Sequence, residues 1–478
     1  MANYNAPDVY IKDVVKGSQS VSQLSSSVGI LIGVTRSGVV NKAQKIGSWT
    51  EFLFKYANGL DTPFMENSYL PYAVYGFFNN GGKELYIGSV KKEAKKATIT
   101  SATNNLKVTA LTEGTWGNEI QFILKKSQYY VENTNEVFDV TISVGSGDKV
   151  VLRDVTLQTI TKAVLENSKS KEWIGEFSYD SSQTPKLAEE TFTLTGGTNG
   201  SPLQDVDYVK ALEMIDVLDD VTMVAVVGQT TNVVNDALLS YCDNHQLFPI
   251  IDMPLGSTPE QVRAYRMKIS AFTGALMYPW GKVSDPLTNT LKLVPTAGHV
   301  MGVYARVIEN RGIHKAPAGI EAVVRGFVEL ETALTPAQLS SLNPVGVVCI
   351  VSKPNAGIVL WGARSLNSTD TTMRYVTDGL INLNIKKSLY RGTQFAVFEP
   401  NDNTLWGRVQ ATCKAFLETL RLDGTLKGTA KEAYYVKVDE SNNTASTIAD
   451  GELNIEVGYA PVKPAEFVIF KLAHSIEQ

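Results

Sequence analysis

Cysteine is scarce in this chain: Cys242, Cys349 and Cys413 are three among 478 residues, far apart and odd in number. That excludes a disulfide framework and any Cys-x-x-Cys redox or zinc pair, and three reduced, buried thiols are expected. Histidine is nearly as rare, with four scattered copies, so no metal site is expected. Long apolar runs are missing too. The longest, "VTMVAVVG" and "VGVVCIV", suit a buried strand and fall far short of the roughly 20 residues of a membrane span. The first residues, "MANYNAPDVYIKDVV", lack a basic-then-apolar signal pattern, so synthesis in a cytoplasm without the usual secretion route is expected. Charge of one sign is absent as well. Forty-four basic against 49 acidic residues leave a net −5, too mild to indicate direct binding to nucleic acid or membrane. No phosphate-cradling Gly-x-x-x-x-Gly-Lys, no Gly-x-Ser-x-Gly, no His-Glu-x-x-His and no EF-hand loop occurs. No catalytic residue, metal or cofactor is assigned from the residues.

What is present is a multi-domain chain with 44% hydrophobic and 19% charged residues, enough for a large core. A polar arm with a strand candidate at Val9–Val15 leads through "SQLSSS" to the buried-strand pattern "GILIGVT". Ser48 and Glu51 form a capping-box pattern that opens a helix, and a second helix around Tyr69–Asn79 precedes the strand "ELYIGSV". From residue 91 the pattern turns to alternating, threonine-rich strands, predicting a mostly-β insertion over 91–200 that ends in a flexible glycine hinge, "GGTNG". After 201, strands alternate with helices, two of them opened by "STPEQ" and "LTPAQ", which predicts a parallel sheet. Two amphipathic helices follow, at about 376–390 and 404–421, with a strand, "QFAVFEP", between them. In the second helix Leu405, Val409, Cys413, Phe416 and Leu420 share one face. Near the end, Leu453, Ile455, Val457 and Tyr459 alternate with polar residues, and "AEFVIFKL" (465–472) is apolar on both faces. The fold class expected is mixed α/β (α+β), multi-domain.

Two places invite a chemical reading. Asp252 and Gly228 follow apolar strands where doubly wound sheets bind ligands, so an α/β enzyme or ligand binder with a site there is one possibility. A helix-capping or turn role for Asp252 is the competing one. The segment "HVMGVYARVIENRGIHKAP" (299–317) gathers His299, Arg306, Glu309, Arg311, His314 and Lys315. It reads more simply as a helix on a sheet followed by a charged loop.

Certain segments are recognisable together. "APDVYIKDV" (6–14), "VGILIGVTRSGVVNKAQKIGSWTEFLFKYA" (28–57) and "SYLPYAVYGFFNNGGKELYIGSV" (68–90) resemble the amino-terminal part of contractile tail sheath proteins of bacteriophages and phage-tail-like particles. "GHVMGVYARVIENRGIHKAPAG" (298–319) is similar to that family's central signature. "GIVLWGARSL" (357–366), "RGTQFAVFEPNDNTLWGRV" (391–409) and "GELNIEVGYAPVKPAEFVIFKL" (451–472) are similar to its carboxy-terminal blocks.

The resemblance implies a structural subunit, not an enzyme. Such subunits polymerise as stacked rings or a helical array around a tail tube and contract to drive the tube through a target cell envelope. Baseplate and tail terminator proteins are the further partners implied. The location implied is the virion tail or a phage-tail-like particle, assembled in the host bacterial cytoplasm. The domains expected are an amino-terminal linker arm (1–20), the first part of the sheath core (21–90), the inserted mostly-β outer domain (91–200) and an α/β domain (201–355). The carboxy-terminal part of the core (356–463) and a carboxy-terminal arm (464–478) complete the chain. The family joins its subunits by strand exchange of terminal arms. Here the arm and socket residues would be Val9, Tyr10, Ile11 and Val14, then Leu453, Ile455 and Val457, then Phe467, Val468, Ile469, Phe470 and Leu472. Charged residues of the two carboxy-terminal helices (Lys386, Lys387, Arg408, Lys414, Glu418 and Arg421) are candidates for touching the tube; a solvated face is the alternative reading.

Overall fold

The computed structural model describes residues 26–57, 60, 62–179, 186–467 and 469. The arm candidates Val9, Tyr10, Ile11, Val14, Val468, Phe470 and Leu472 lie outside the described residues. The chain divides into two compact units, Ser25–Leu383 and, among described residues, the segment from Asn384 onward. This boundary falls inside a helix (α4, below) rather than at 355/356.

The larger unit is built on an eight-stranded sheet. Its strands are β1 (Gly29–Gly33), β2 (Ala43–Ile46), β3 (Leu85–Ser89), β4 (Met223–Val226), β5 (Phe248–Asp252), β6 (Ala275–Tyr278), β7 (Val347–Lys353) and β8 (Gly357–Leu360). Their order across the sheet is β8-β7-β6-β5-β4-β1-β3-β2. The six inner strands run parallel, and β2 and β8 close the two edges antiparallel. Parallel strands buried on both faces need apolar side chains all round, and Ile30, Leu31 and Ile32 are all fully buried. Residues 29–89 and 223–360 thus share one sheet, although more than a hundred residues separate them.

Helices α1 (Trp49–Tyr56), α2 (Leu70–Asn79) and α3 (Ala297–Arg311) belong to this unit, and α4 (Val376–Gly392) starts in it. The Ser48 hydroxyl accepts from the Glu51 amide at 3.1 Å, but the Glu51 carboxylate reaches Gly47, at 2.7 Å, instead of closing the box on Ser48. The two Thr-Pro-x-Gln starts close fully. Thr258 and Gln261 exchange bonds of 3.3 and 2.8 Å, and Thr335 and Gln338 bonds of 3.3 and 2.9 Å. α2 and α3 pack closely because glycines face the partner helix. A Cβ on Gly302 would lie 2.4 Å from the Phe77 carbonyl, and one on Gly298 would lie 2.5 Å from the Ala73 Cβ.

Residues 91–200 hold a four-stranded antiparallel sheet (Glu190–Thr193, Ile120–Lys126, Phe138–Val144, Lys149–Val155 in spatial order) and a three-stranded one (Thr98–Thr100, Leu106–Ala110, Ile174–Tyr179). A helix, Leu157–Glu166, packs on them, and Trp116, Phe122, Phe138 and Trp173 anchor a separate core. The glycines at its exit do not make a flexible hinge. The two linkers pair with each other, Lys92 with Gly200 and Ser201, Lys95 with Thr198, and Thr98 with Thr195. Gly200 has φ +85, and a Cβ there would lie 1.8 Å from the Lys92 carbonyl, so glycine is required by contact.

Lys91 stands at the root of this neck. It is 4% exposed, and its ammonium donates to the carbonyls of Arg36 (3.2 Å) and Glu113 (3.0 Å). Burial pushes its pKa down to about 8. Between pH 8 and the unfolded value near 10.5 the unfolded chain holds a proton that the folded chain has shed, so stability rises with pH in that window. The gain expected is on the order of 3 kcal/mol. Lys91→Met should flatten this rise in urea unfolding measured from pH 7.5 to 10; parallel curves for variant and wild type would count against it.

In the smaller unit helix α5 (Asn403–Leu422) starts at Asp402, whose carboxylate accepts from the Leu405 amide at 2.9 Å. Its stripe of Leu405, Val409, Cys413, Phe416 and Leu420 is buried, as are all three cysteines of the chain. It packs on an antiparallel pair, β9 (Tyr434–Lys437) and β10 (Glu456–Tyr459). The "QFAVFEP" segment is not a strand: residues Gln394–Ala396 form a single 3₁₀ turn. Leu453 and Ile455 also stand outside the strand expected for them. The Asn443 side chain takes both backbone groups of Asn454, amide at 2.6 Å and carbonyl at 3.0 Å, so the ladder begins only at Glu456.

Candidate assembly surfaces

The place where a doubly wound sheet would hold a ligand is occupied by the chain's own side chains. The strand order reverses between β1 and β4, so the crevice lies over their carboxyl ends. Ser68 bonds the Val34 carbonyl just beyond β1 (2.7 Å), and a Cβ on Gly228, just beyond β4, would sit 2.5 Å from the Tyr69 ring. Tyr69 therefore lies across the crevice, edge-on to Trp280 at 5.3 Å, and the Trp280 indole donates to the Met253 carbonyl at 2.7 Å. Asp252 is 5% exposed, and its carboxylate is spent on the start of α3. It accepts from the Thr296 amide (2.9 Å), the Thr296 hydroxyl (2.8 Å) and the Ala297 amide (3.2 Å). Burial raises its pKa to about 6 against those three donors. This overturns the reading of Gly228 and Asp252 as a ligand or catalytic site. Among the described residues no cluster of three His, Cys, Asp or Glu could hold a metal ion, and no helix is long and apolar enough to cross a membrane.

The charged 299–317 segment resolves in the same way. Arg306 donates to the carbonyls of Asn80 (2.9 Å) and Val323 (2.6 Å), Glu309 meets Ser27 and Lys83, and Arg311 pairs with Glu321 at 2.6 Å. His299 is 1% exposed and stacks on Phe327 at 4.2 Å. These groups fasten α3 to its neighbours and converge on no common point.

The smaller unit holds the described arm, socket and tube-contact candidates. Among the described residues β9 and β10 form a sheet of only two strands, a pair that is marginal unless something packs on it or extends it. Val457 lies in β10, half-buried, with Leu453 and Ile455 half-buried before it. Phe467 and Ile469 are 70% and 80% exposed. Among the charged candidates, Arg421 and Glu418 satisfy each other through two bonds of 2.6 and 2.8 Å, joined by the Tyr434 hydroxyl at 3.0 Å. The guanidinium holds the Glu418 carboxyl down to about 2. Arg408 lies over the Phe395 ring at 4.3 Å, and Lys414 and Lys386 are exposed. Lys387 is half-buried. Sequence reading missed Phe398, which is fully exposed at a positive φ; a glycine-like position occupied by an aromatic carries no pattern of its own.

Comparison with known proteins finds relatives across both units. Residues 203–366 match the phage tail sheath protein central domain, and residues 368–474 match the phage tail sheath C-terminal domain, together more than half of the chain. The tail sheath protein of Escherichia phage P2 is 25% identical over 252 residues, covering 51% of this chain and 61% of that one. That of Burkholderia phage BcepMu is 28% identical over 240 residues, covering 46% and 48%. The matches thus span about half of these relatives' own length. Among solved structures, the helical sheath of the anti-feeding prophage in its contracted state has a TM-score of 0.62 at 21% identity, covering 98% of this chain and 99% of that one. A sheath tail protein from Desulfitobacterium hafniense gives 0.63 at 15% identity, covering 90% and 94%. The fold is that of these sheath proteins, and the chain belongs to the phage tail sheath protein family.

Proposed function

We propose that this chain is the repeating, non-enzymatic subunit of a contractile tail sheath. Copies stack as rings or a helical array around a tail tube, assembled in a bacterial host's cytoplasm, and contract to drive the tube through a cell envelope. Tube, baseplate and tail terminator proteins are its partners, with no direct hold on nucleic acid or membrane. The observation that carries the reading is the two-stranded sheet β9–β10, read beside the exposed side chains of Phe467 and Ile469. Exposed strand edges are a hazard for a lone protein and a socket in an array. Residues 1–20 and 464–478 act as arms, with Val9, Tyr10, Ile11 and Val14 in one and Phe467 to Leu472 in the other. Leu453, Ile455 and Val457 line the socket.

Burial of each large arm side chain contributes about 1.5–3 kcal/mol before ordering costs. Each ladder bond adds roughly 0.5–1.5 kcal/mol. Such links survive while the bodies slide, so contraction needs no nucleotide: the extended array is the higher-energy arrangement, held kinetically. We assign contact with the tube to the charged residues of the two carboxy-terminal helices, Lys386, Lys387, Arg408, Lys414, Glu418 and Arg421. Deleting residues 464–478 is expected to abolish tube formation in negative-stain micrographs and leave folded, soluble subunits. Full-length tubes from the truncated chain would sink the arm assignment.

A further inference from the structure

The segment after α4 reads as a strand and folds as something else. Val397 has φ −70 and ψ 128, Phe398 has φ +65, and the Glu399 amide closes back on the Ala396 carbonyl at 3.3 Å. These are the torsions of a type II turn, with Phe398 at the position that calls for glycine or asparagine. A bulky aromatic in left-handed backbone is an outlier that persists only where something else requires it. Among the described residues none packs over it: Phe398 is 104% exposed, and Val397 is 57% exposed. Phe395, Val397 and Phe398 all favour extended backbone.

The same unit carries a second uncovered apolar stretch. Phe467 and Ile469 are 70% and 80% exposed where the described chain ends, and in sequence the "AEFVIFKL" pattern runs on to Leu472. Apolar side chains on both sides of a strand need cover on both faces.

We propose that residues 394–398 are a strand held in reserve, folded back as a turn in the free subunit and extended in the assembly by pairing with Ala465–Leu472 of a second copy. This rests on the sheath reading above and adds a conformational change to it. The backbone torsion at Phe398 is the switch: left-handed when free, extended when paired.

Two substitutions separate backbone from side chain. Asparagine tolerates the left-handed region, so Phe398→Asn settles the turn. Valine is β-branched and resists it, so Phe398→Val keeps an apolar strand. Polymerisation of the purified full chain, followed by light scattering against concentration, is the readout. The threshold concentration is expected to rise at least tenfold in F398N and to stay within threefold in F398V. In the soluble subunit F398N should melt no lower than wild type, which separates an assembly defect from misfolding. An unchanged threshold in F398N overturns the proposal, as does an equal loss in both variants. Unimpaired polymerisation of the chain lacking 464–478 would overturn the arm reading and this pairing with it, whereas an unchanged threshold in F398N alone overturns only the pairing.

Discussion

Replacing Gly302 by valine is expected to cost the larger unit on the order of 4 kcal/mol, or to prevent its folding. The reason is contact with backbone rather than with a movable side chain. A Cβ at 302 would lie 2.4 Å from the Phe77 carbonyl oxygen and 2.9 Å from the Phe77 Cα, so α2 and α3 must separate to admit it. Separation would also pull Arg306 from the Asn80 carbonyl it holds at 2.9 Å. Overpacking a well-ordered interior typically costs 1–3 kcal/mol, and lost buried bonds add to that. Gly407 is the internal control. It lies in helix α5 with nothing within 4 Å of a Cβ, so Gly407→Ala should stabilise the smaller unit by about 0.5–1 kcal/mol. Urea midpoints of both variants check the pair; equal effects at the two positions would refute the packing account.

The second large effect concerns acid. His299 is fully enclosed, its Nδ1 is without a hydrogen-bond partner, and burial pushes its pKa down to about 3. The unfolded chain protonates this ring near pH 6.5 and the folded one does not until about pH 3. Between those values the unfolded state binds the extra proton, so stability is lost as pH falls. At pH 4.5 the loss from this residue amounts to about 2–3 kcal/mol relative to pH 7. In His299→Phe, which keeps the stack on Phe327, the fall in urea stability between pH 7 and 4.5 should be smaller by that amount. Identical falls would mean that other groups carry the acid sensitivity.

Much of the architecture was readable because local chemistry and global fold agree. Thr258 and Thr335 cap their helices with the glutamines three residues on, and Leu405, Val409, Cys413, Phe416 and Leu420 face the core as their spacing requires. The misses share a cause: each depended on a contact distant in sequence or on a partner outside the single chain. "GGTNG" resembles a flexible joint until the Lys92 carbonyl is seen 1.8 Å from where a Gly200 side chain would begin. The pattern before β10 reads as strand from Leu453, but the Asn443 side chain claims the Asn454 backbone. "QFAVFEP" has strand propensity, but among the described residues no strand pairs with it, and Gln394–Ala396 form a 3₁₀ turn. The role of Asp252 was open between capping and chemistry, and only its distances to Thr296 and Ala297 decide it. The arms were named from resemblance, since apolar segments at chain ends do not announce which copy covers them.

The neck at Lys92 and Ser201 has one further consequence. The chain leaves the body after β3 and returns before β4, and these two strands flank β1 on either side. Departure and re-entry are bridged directly, Lys92 to Ser201, so the two ends stand about 5 Å apart, one strand spacing. A loop of any length or fold can close such a gap without altering the strand order, and a short turn would close it equally well. Beyond the neck, body and insertion touch through Arg36 and Glu119 at 3.0 Å and through Lys91 and the Glu113 carbonyl at 3.0 Å. A shorter loop in place of 91–200 would therefore forfeit those contacts and the insertion's own core, with the strand order of the body unchanged.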